Sequence, residues 1–217
     1  MTQQLALDFP TRQTYERSDF WVAPCNQEAI VWIDKYPAWP MHALLIYGEE
    51  GCGKTHLAAI FSETRIEAAD LTEQFVPPSN KIVVENVEQL KDEKTLFHLF
   101  NWIQENDGGL LITARKVPVF SLPDLQTRIN MIPKVEIQMP DDETIVSVCG
   151  KMFADRQAIV EPAVLSYIAT HAPRSFSAIH RLINLADKLS LAEGRRITIY
   201  LIKSVIDQIA KEEGTNA

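Results

Sequence analysis

Short apolar runs alternate with longer amphipathic stretches through the first two thirds of the chain, and the alternation stops near Asp141-Asp142. The runs at 43–47, 65–68, 82–84 and 110–113 are short, apolar and partly β-branched, and a fifth, at 134–138, leads into Met139-Pro140. Runs of this kind predict strands buried in a sheet. Between them, residues 55–63 and 93–106 carry helical spacing. A further helix is predicted over 26–35, where Ala29, Ile30 and Ile33 share a face, Asn26 is placed to cap the start, and Pro37 ends it. Strand and helix in alternation imply a parallel sheet covered on both faces. Beyond Asp142 only helical periodicity remains, at about 143–157, 162–171, 174–192 and 198–210. The expected fold class is therefore α/β: a parallel five-stranded sheet flanked by helices, followed by a small all-helical domain. The expected divisions are a flexible tail at 1–14, an α/β core at 15–140 and the helical domain at 141–213.

Composition adds exclusions. The 217 residues are 46% hydrophobic and 23% charged, the balance of an ordinary folded chain. A net charge of −8 is the wrong sign for a broad nucleic-acid-binding surface, which needs clustered Lys and Arg, so contact with DNA is expected only through a partner. Cys25, Cys52 and Cys149 are odd in number and widely spaced, which argues against a disulfide framework and against a zinc site. No apolar run approaches the roughly 18 residues of a membrane span, and the first residues lack the basic start and apolar stretch of a signal peptide. These features place the protein in the cytoplasm.

One motif carries chemistry. Gly48-Glu49-Glu50-Gly51-Cys52-Gly53-Lys54-Thr55 fits G-x-x-x-x-G-K-[ST] and lies between a strand and a helix, as a phosphate loop must. Glycines let the chain wrap a polyphosphate so that successive N–H groups and a helix N-terminus face it. Lys54 supplies a charge, and the Thr55 hydroxyl supplies a Mg²⁺ ligand. Cys52 is read as a small residue at a variable loop position rather than a reactive thiol, and His56 as a residue bracing the loop. An acidic element should close a following strand. Here Glu85 stands as the metal acid, while Asn86 has no basic oxygen with which to draw a proton from water, so hydrolysis in cis is expected to be weak. The alternative is that Glu85 serves as the base itself.

Several segments together resemble the bacterial replication initiator family DnaA, of the AAA+ P-loop NTPases, over about residues 15 to 210. The loop runs into Thr55-His56-Leu57. Asp19-Phe20-Trp21-Val22 followed by Asn26 is similar to the segment that covers the adenine. Leu111-Ile112-Thr113 resembles the sensor-1 strand, and 122–129, with Arg128, the arginine-finger segment. Arg174, read as opening the helix that continues to Ala178 and Arg181, holds the place of the sensor-2 arginine. The resemblance implies an AAA+ core with a helical lid, binding ADP or ATP with Mg²⁺. Its nucleotide contacts would be Phe20, Val22, Asn26, Gly48, Glu50, Gly51, Cys52, Gly53, Lys54, Thr55, His56 and Arg174. Thr55 and Glu85 would serve the metal, and Ala114-Arg115 departs from the small polar residue and aspartate usual in DnaA.

The sequence stops after the lid, with no counterpart of the DnaA helix-turn-helix, and it opens with Gln4-Leu5-Ala6-Leu7-Asp8-Phe9, which resembles the peptide that many proteins dock on the replicative sliding clamp. In that peptide Gln4, Leu5, Leu7 and Phe9 would make the clamp contacts. The combination, with Trp39-Pro40 before the first strand, is similar to the Hda family of DnaA homologues. That resemblance implies a negative regulator held on the DNA polymerase III sliding clamp (β subunit), presenting Arg128 to ATP bound by DnaA and touching DNA only through the clamp. The acceptor of Arg128 is DnaA or, in a homo-oligomer, another copy. Two other readings stand beside it: a helicase loader of the IstB or DnaC type that hydrolyses its own ATP, and a nucleotide-stabilised scaffold tethered to the clamp.

Overall fold

The computed structural model describes residues 20–215, with side chains through Lys211. Gln4, Leu5, Leu7, Phe9 and Asp19 lie outside the described residues. The rest falls into two compact units that meet in the sequence at Met139 and Pro140.

In the first unit five strands, β1 (Ala43–Tyr47), β2 (Arg65–Glu67), β3 (Lys81–Glu85), β4 (Gly109–Ala114) and β5 (Lys134–Glu136), form one parallel sheet in the order β2-β3-β4-β1-β5. Successive side chains of a strand point to opposite faces. Ala43, Leu45, Ile82, Val84, Leu110 and Ile112 therefore meet one set of helices, while Leu44, Ile46, Val83, Leu111 and Val135 meet another. The first set is α3 (Glu93–Glu105), through Leu96, Leu99, Phe100 and Ile103, and α4 (Pro123–Met131), through Leu125 and Ile129. The second is α1 (Gln27–Asp34), through Ala29, Ile30 and Ile33, and α2 (Lys54–Phe61), through Leu57, Ala58 and Phe61. The three central strands are buried on both faces, which is why they read as continuous apolar runs. Each fully buried Leu, Ile or Val contributes about 1.5–3 kcal/mol.

One local expectation is corrected. Asn26 occupies the position before α1 but makes no capping bond to it. Its Oδ1 instead accepts from the Ala23 N–H at 2.8 Å, and its Nδ2 donates to the Trp21 carbonyl at 2.8 Å, so it braces the segment upstream. Helix α4 was visible in the sequence only as a motif, because Leu125 and Ile129 are its sole buried apolar residues.

The second unit is helical: α5 (Asp142–Asp155), α6 (Pro162–His171), α7 (Phe176–Glu193) and α8 (Ile199–Thr215). Its core includes Ile145, Cys149, Phe153, Ile168, Ile179, Leu182, Ile183, Leu201, Ile202 and Val205. Asp141 caps α5 by accepting from the Thr144 N–H at 2.8 Å, and Ser175 caps α7 by accepting from the Ala178 N–H at 3.1 Å. Gly194, left-handed at φ 58, ends α7. The cap at Ser175 puts Arg174 just outside the helix that it was expected to open. Among the described residues no helix is long and apolar enough to cross a membrane.

Candidate phosphate-binding site

All five strands point the same way, so the loops that follow them gather along the carboxyl edge of the sheet, where open α/β sheets bind ligands. β1 delivers the chain there at Gly48. An added Cβ on Gly48 would come within 2.2 Å of the Ile137 carbonyl oxygen, so no side chain fits between the loop and the segment after β5. Gly51 at φ 81 and Gly53 at φ 111 take left-handed conformations that turn the loop into α2. Lys54 is 8% exposed, and its Nζ donates to the carbonyls of Gly48 at 2.7 Å and Glu49 at 2.8 Å. The ammonium is thus gathered inside the loop at the start of α2, where the helix dipole also favours an anion.

Cys52 is buried beneath this loop, with its sulfur 3.8 Å from the Lys54 ammonium. Burial pushes its thiol above the ordinary value and outweighs the lowering by the Lys54 charge. The group is a packed thiol and not an activated nucleophile.

The two residues expected to serve a metal are brought together. The Thr55 hydroxyl donates to Glu85 Oε2 at 3.0 Å, joining the start of α2 to the end of β3 across 30 residues. Both are hard oxygen donors of the kind Mg²⁺ takes beside substrate phosphates, so the pair fits that ion, which would supply charge against a polyphosphate. Glu85 Oε1 faces Arg65 Nη1 at 3.4 Å. Asn86 is left-handed at φ 55. Its N–H donates to the Thr113 hydroxyl at 3.2 Å, and its Nδ2 donates to Glu67 Oε2 at 2.8 Å. Arg65 and Glu67 escaped sequence reasoning, since only the β2–β3 register, with Glu67 opposite Glu85, brings them to this edge.

Phe20 is buried and sets its ring edge-on to His56, with centroids 5.1 Å apart, close over Gly53. Val22 is exposed, and Asn26 is buried in the braces already described. Glu50, exposed at the loop tip, pairs with Arg115 Nη2 at 2.9 Å. Arg115 also takes Glu88, whose Oε2 accepts the Arg115 N–H at 3.3 Å. A cleft of about 400 Å³ opens beside the loop between Gly48, Glu49, Arg115, Lys116, Glu136 and Ile137.

Two further arginines were singled out by the sequence. Arg174, in the helical unit, pairs with Asp142 at 2.5 Å rather than standing alone in solvent. Arg128 is half-buried on α4, on the face of the sheet opposite α2. Its partner is not Asp124 one turn earlier: Nη2 donates to Asn101 Oδ1 at 2.6 Å, Nη1 donates to Gln104 Oε1 at 3.2 Å, and the guanidinium lies 4.6 Å from the centre of the Phe97 ring. Phe97, Asn101 and Gln104 are spaced to share one face of α3. Among the described residues no carboxylate pairs with Arg128, so its charge is held but not neutralised.

Residues 147–206 match the family described as Hda, lid domain. Among curated proteins, an uncharacterised protein of Haemophilus influenzae is 28% identical over 186 residues, covering 75% of this chain and 80% of its own length. The chromosomal replication initiator DnaA of Flavobacterium psychrophilum is 24% identical over 202 residues, covering 77% of this chain and 42% of its own. The chain spans about half the length of the curated DnaA relatives it matches. Among solved structures, domain III of DnaA from Thermotoga maritima superposes with a TM-score of 0.72 at 20% identity, over 92% of this chain and 98% of that one. AMPPCP-bound DnaA from Aquifex aeolicus gives 0.69 at 19% identity, over 84% and 68%. Sheet order, phosphate loop, helical unit and lid match agree: the chain is a DnaA-homologous AAA+ protein with an Hda-like lid.

Proposed function

We propose that the chain regulates replication initiation by binding an adenine nucleotide at 48–55 and lending Arg128 to ATP held by DnaA, while a DNA-loaded sliding clamp holds it through Gln4, Leu5, Leu7 and Phe9. The observation that carries this reading is the setting of Arg128. The guanidinium sits on the far side of the sheet from the chain's own phosphate loop, oriented by two neutral amides and a ring, with its charge left for an outside anion. An arginine supplied in trans stabilises the transferring phosphoryl group and can be worth about 10³–10⁵ in rate. The nucleotide reading is supported by the loop geometry and by the AMPPCP bound in the Aquifex DnaA structure. Own turnover is expected to be slow, because Asn86 spends its amide on Glu67 and brings no acid to orient water.

Single-turnover assays of ATP bound to DnaA test this reading, with clamp on DNA and this chain added. Arg128→Ala should abolish the stimulation and leave the chain's own ADP affinity unchanged. Full stimulation by that variant would exclude the mechanism.

A further inference from the structure

Among the described residues Glu85 is the only buried carboxylate, 6% exposed, and a buried anion needs both oxygens answered. Oε2 accepts the Thr55 hydroxyl at 3.0 Å, and Oε1 faces Arg65 Nη1 at 3.4 Å. Arg65 opens β2 and pairs with Val83, two residues before Glu85, so its side chain reaches along the ladder toward the end of β3. Glu67, in register with Glu85, is occupied by Asn86. The strand edge next to the phosphate loop thus holds two carboxylates and one guanidinium, the latter charged at every working pH. A divalent cation is ordinarily the largest local charge at such a site.

We propose that Arg65 is a resident counter-ion of the metal-site carboxylate, set on the protein side where a divalent cation would otherwise answer the charge, so that nucleotide binding by this chain depends little on Mg²⁺. The proposal rests on the nucleotide-site reading and concerns charge balance at that site, not turnover. With Arg65 present, a divalent ion at Glu85 gains less attraction and meets a like charge. With Arg65 gone, Glu85 keeps the Thr55 hydroxyl but loses its counter-charge, which the ion would then supply.

Calorimetric titration of the full chain with ADP, once with Mg²⁺ and once with EDTA, tests it. Wild-type affinity should change by less than about 3-fold between the buffers, and Arg65→Gln should weaken by about 10-fold or more in EDTA. Arg65→Lys should stay with the wild type. A wild-type loss of about 10-fold or more in EDTA would overturn the proposal, as would an equal buffer ratio in wild type and Arg65→Gln. The wild-type and Arg65→Lys ratios decide the matter even if Arg65→Gln does not fold. Absence of ADP binding in both buffers would instead remove the nucleotide site, and this proposal with it.

Discussion

Lys54 and Gly48 act on the same loop by different physics. Lys54 places an ammonium among carbonyls and at a helix N-terminus, so a polyphosphate entering there meets a charge already oriented. A hydrogen bond to a charged group is worth about 1.5–3 kcal/mol, and Lys54→Ala should weaken ADP binding by about 10- to 100-fold in calorimetry. Gly48 contributes space. Because its Cβ would fall 2.2 Å from the Ile137 carbonyl oxygen, Gly48→Ala should destabilise the α/β unit by about 2 kcal/mol or more in denaturant melts, without ligand present. Both residues were legible in the sequence, since the motif fixes their spacing and the flanking strand and helix fix their setting. The partners of Arg128, and those of Glu85 and Asn86 on β2, were not. Asn101, Gln104, Arg65 and Glu67 become neighbours only through helix packing and strand register, which a linear pattern does not encode.

At the scale of elements, the three central strands were legible because burial on both faces leaves no polar alternation, and the long helices because their apolar stripes are continuous. Helix α4 shows where that signal thins, as two buried residues in nine give too little period to read. Start signals misled when a side chain had a better partner, as Asn26 did in Ala23 and Trp21. Ser175 does cap, and Ser175→Ala should cost the helical unit about 1 kcal/mol in thermal or urea unfolding. Cys149 in α5 gives the same unit a pH dependence on the alkaline side. Burial pushes its thiol up from 9.0 to about 12. A raised acid contributes stability that is fully present below the unfolded value and is lost as pH rises toward the folded one. Between pH 9 and pH 10.5 the loss should approach about 2 kcal/mol, visible as a falling melting temperature. Cys149→Ala should flatten that slope in the helical unit.

At the scale of the whole molecule, the proposed tether and the proposed finger are separable. Replacing Gln4 and Phe9 by Ala should end retention on immobilised clamp and leave the thermal stability and ADP affinity of the folded units unchanged. Arg128→Ala should keep that retention. The placement of Arg128 has a further meaning. Lys54 begins a helix on one face of the sheet and Arg128 rides a helix on the other, so a single chain cannot bring its own guanidinium to its own phosphates. If Arg128 acts as proposed, the anion it serves belongs to a second molecule. On that reading its output would be a collision frequency, rising with crowding on a shared platform and fading on simple dilution without any switch in shape.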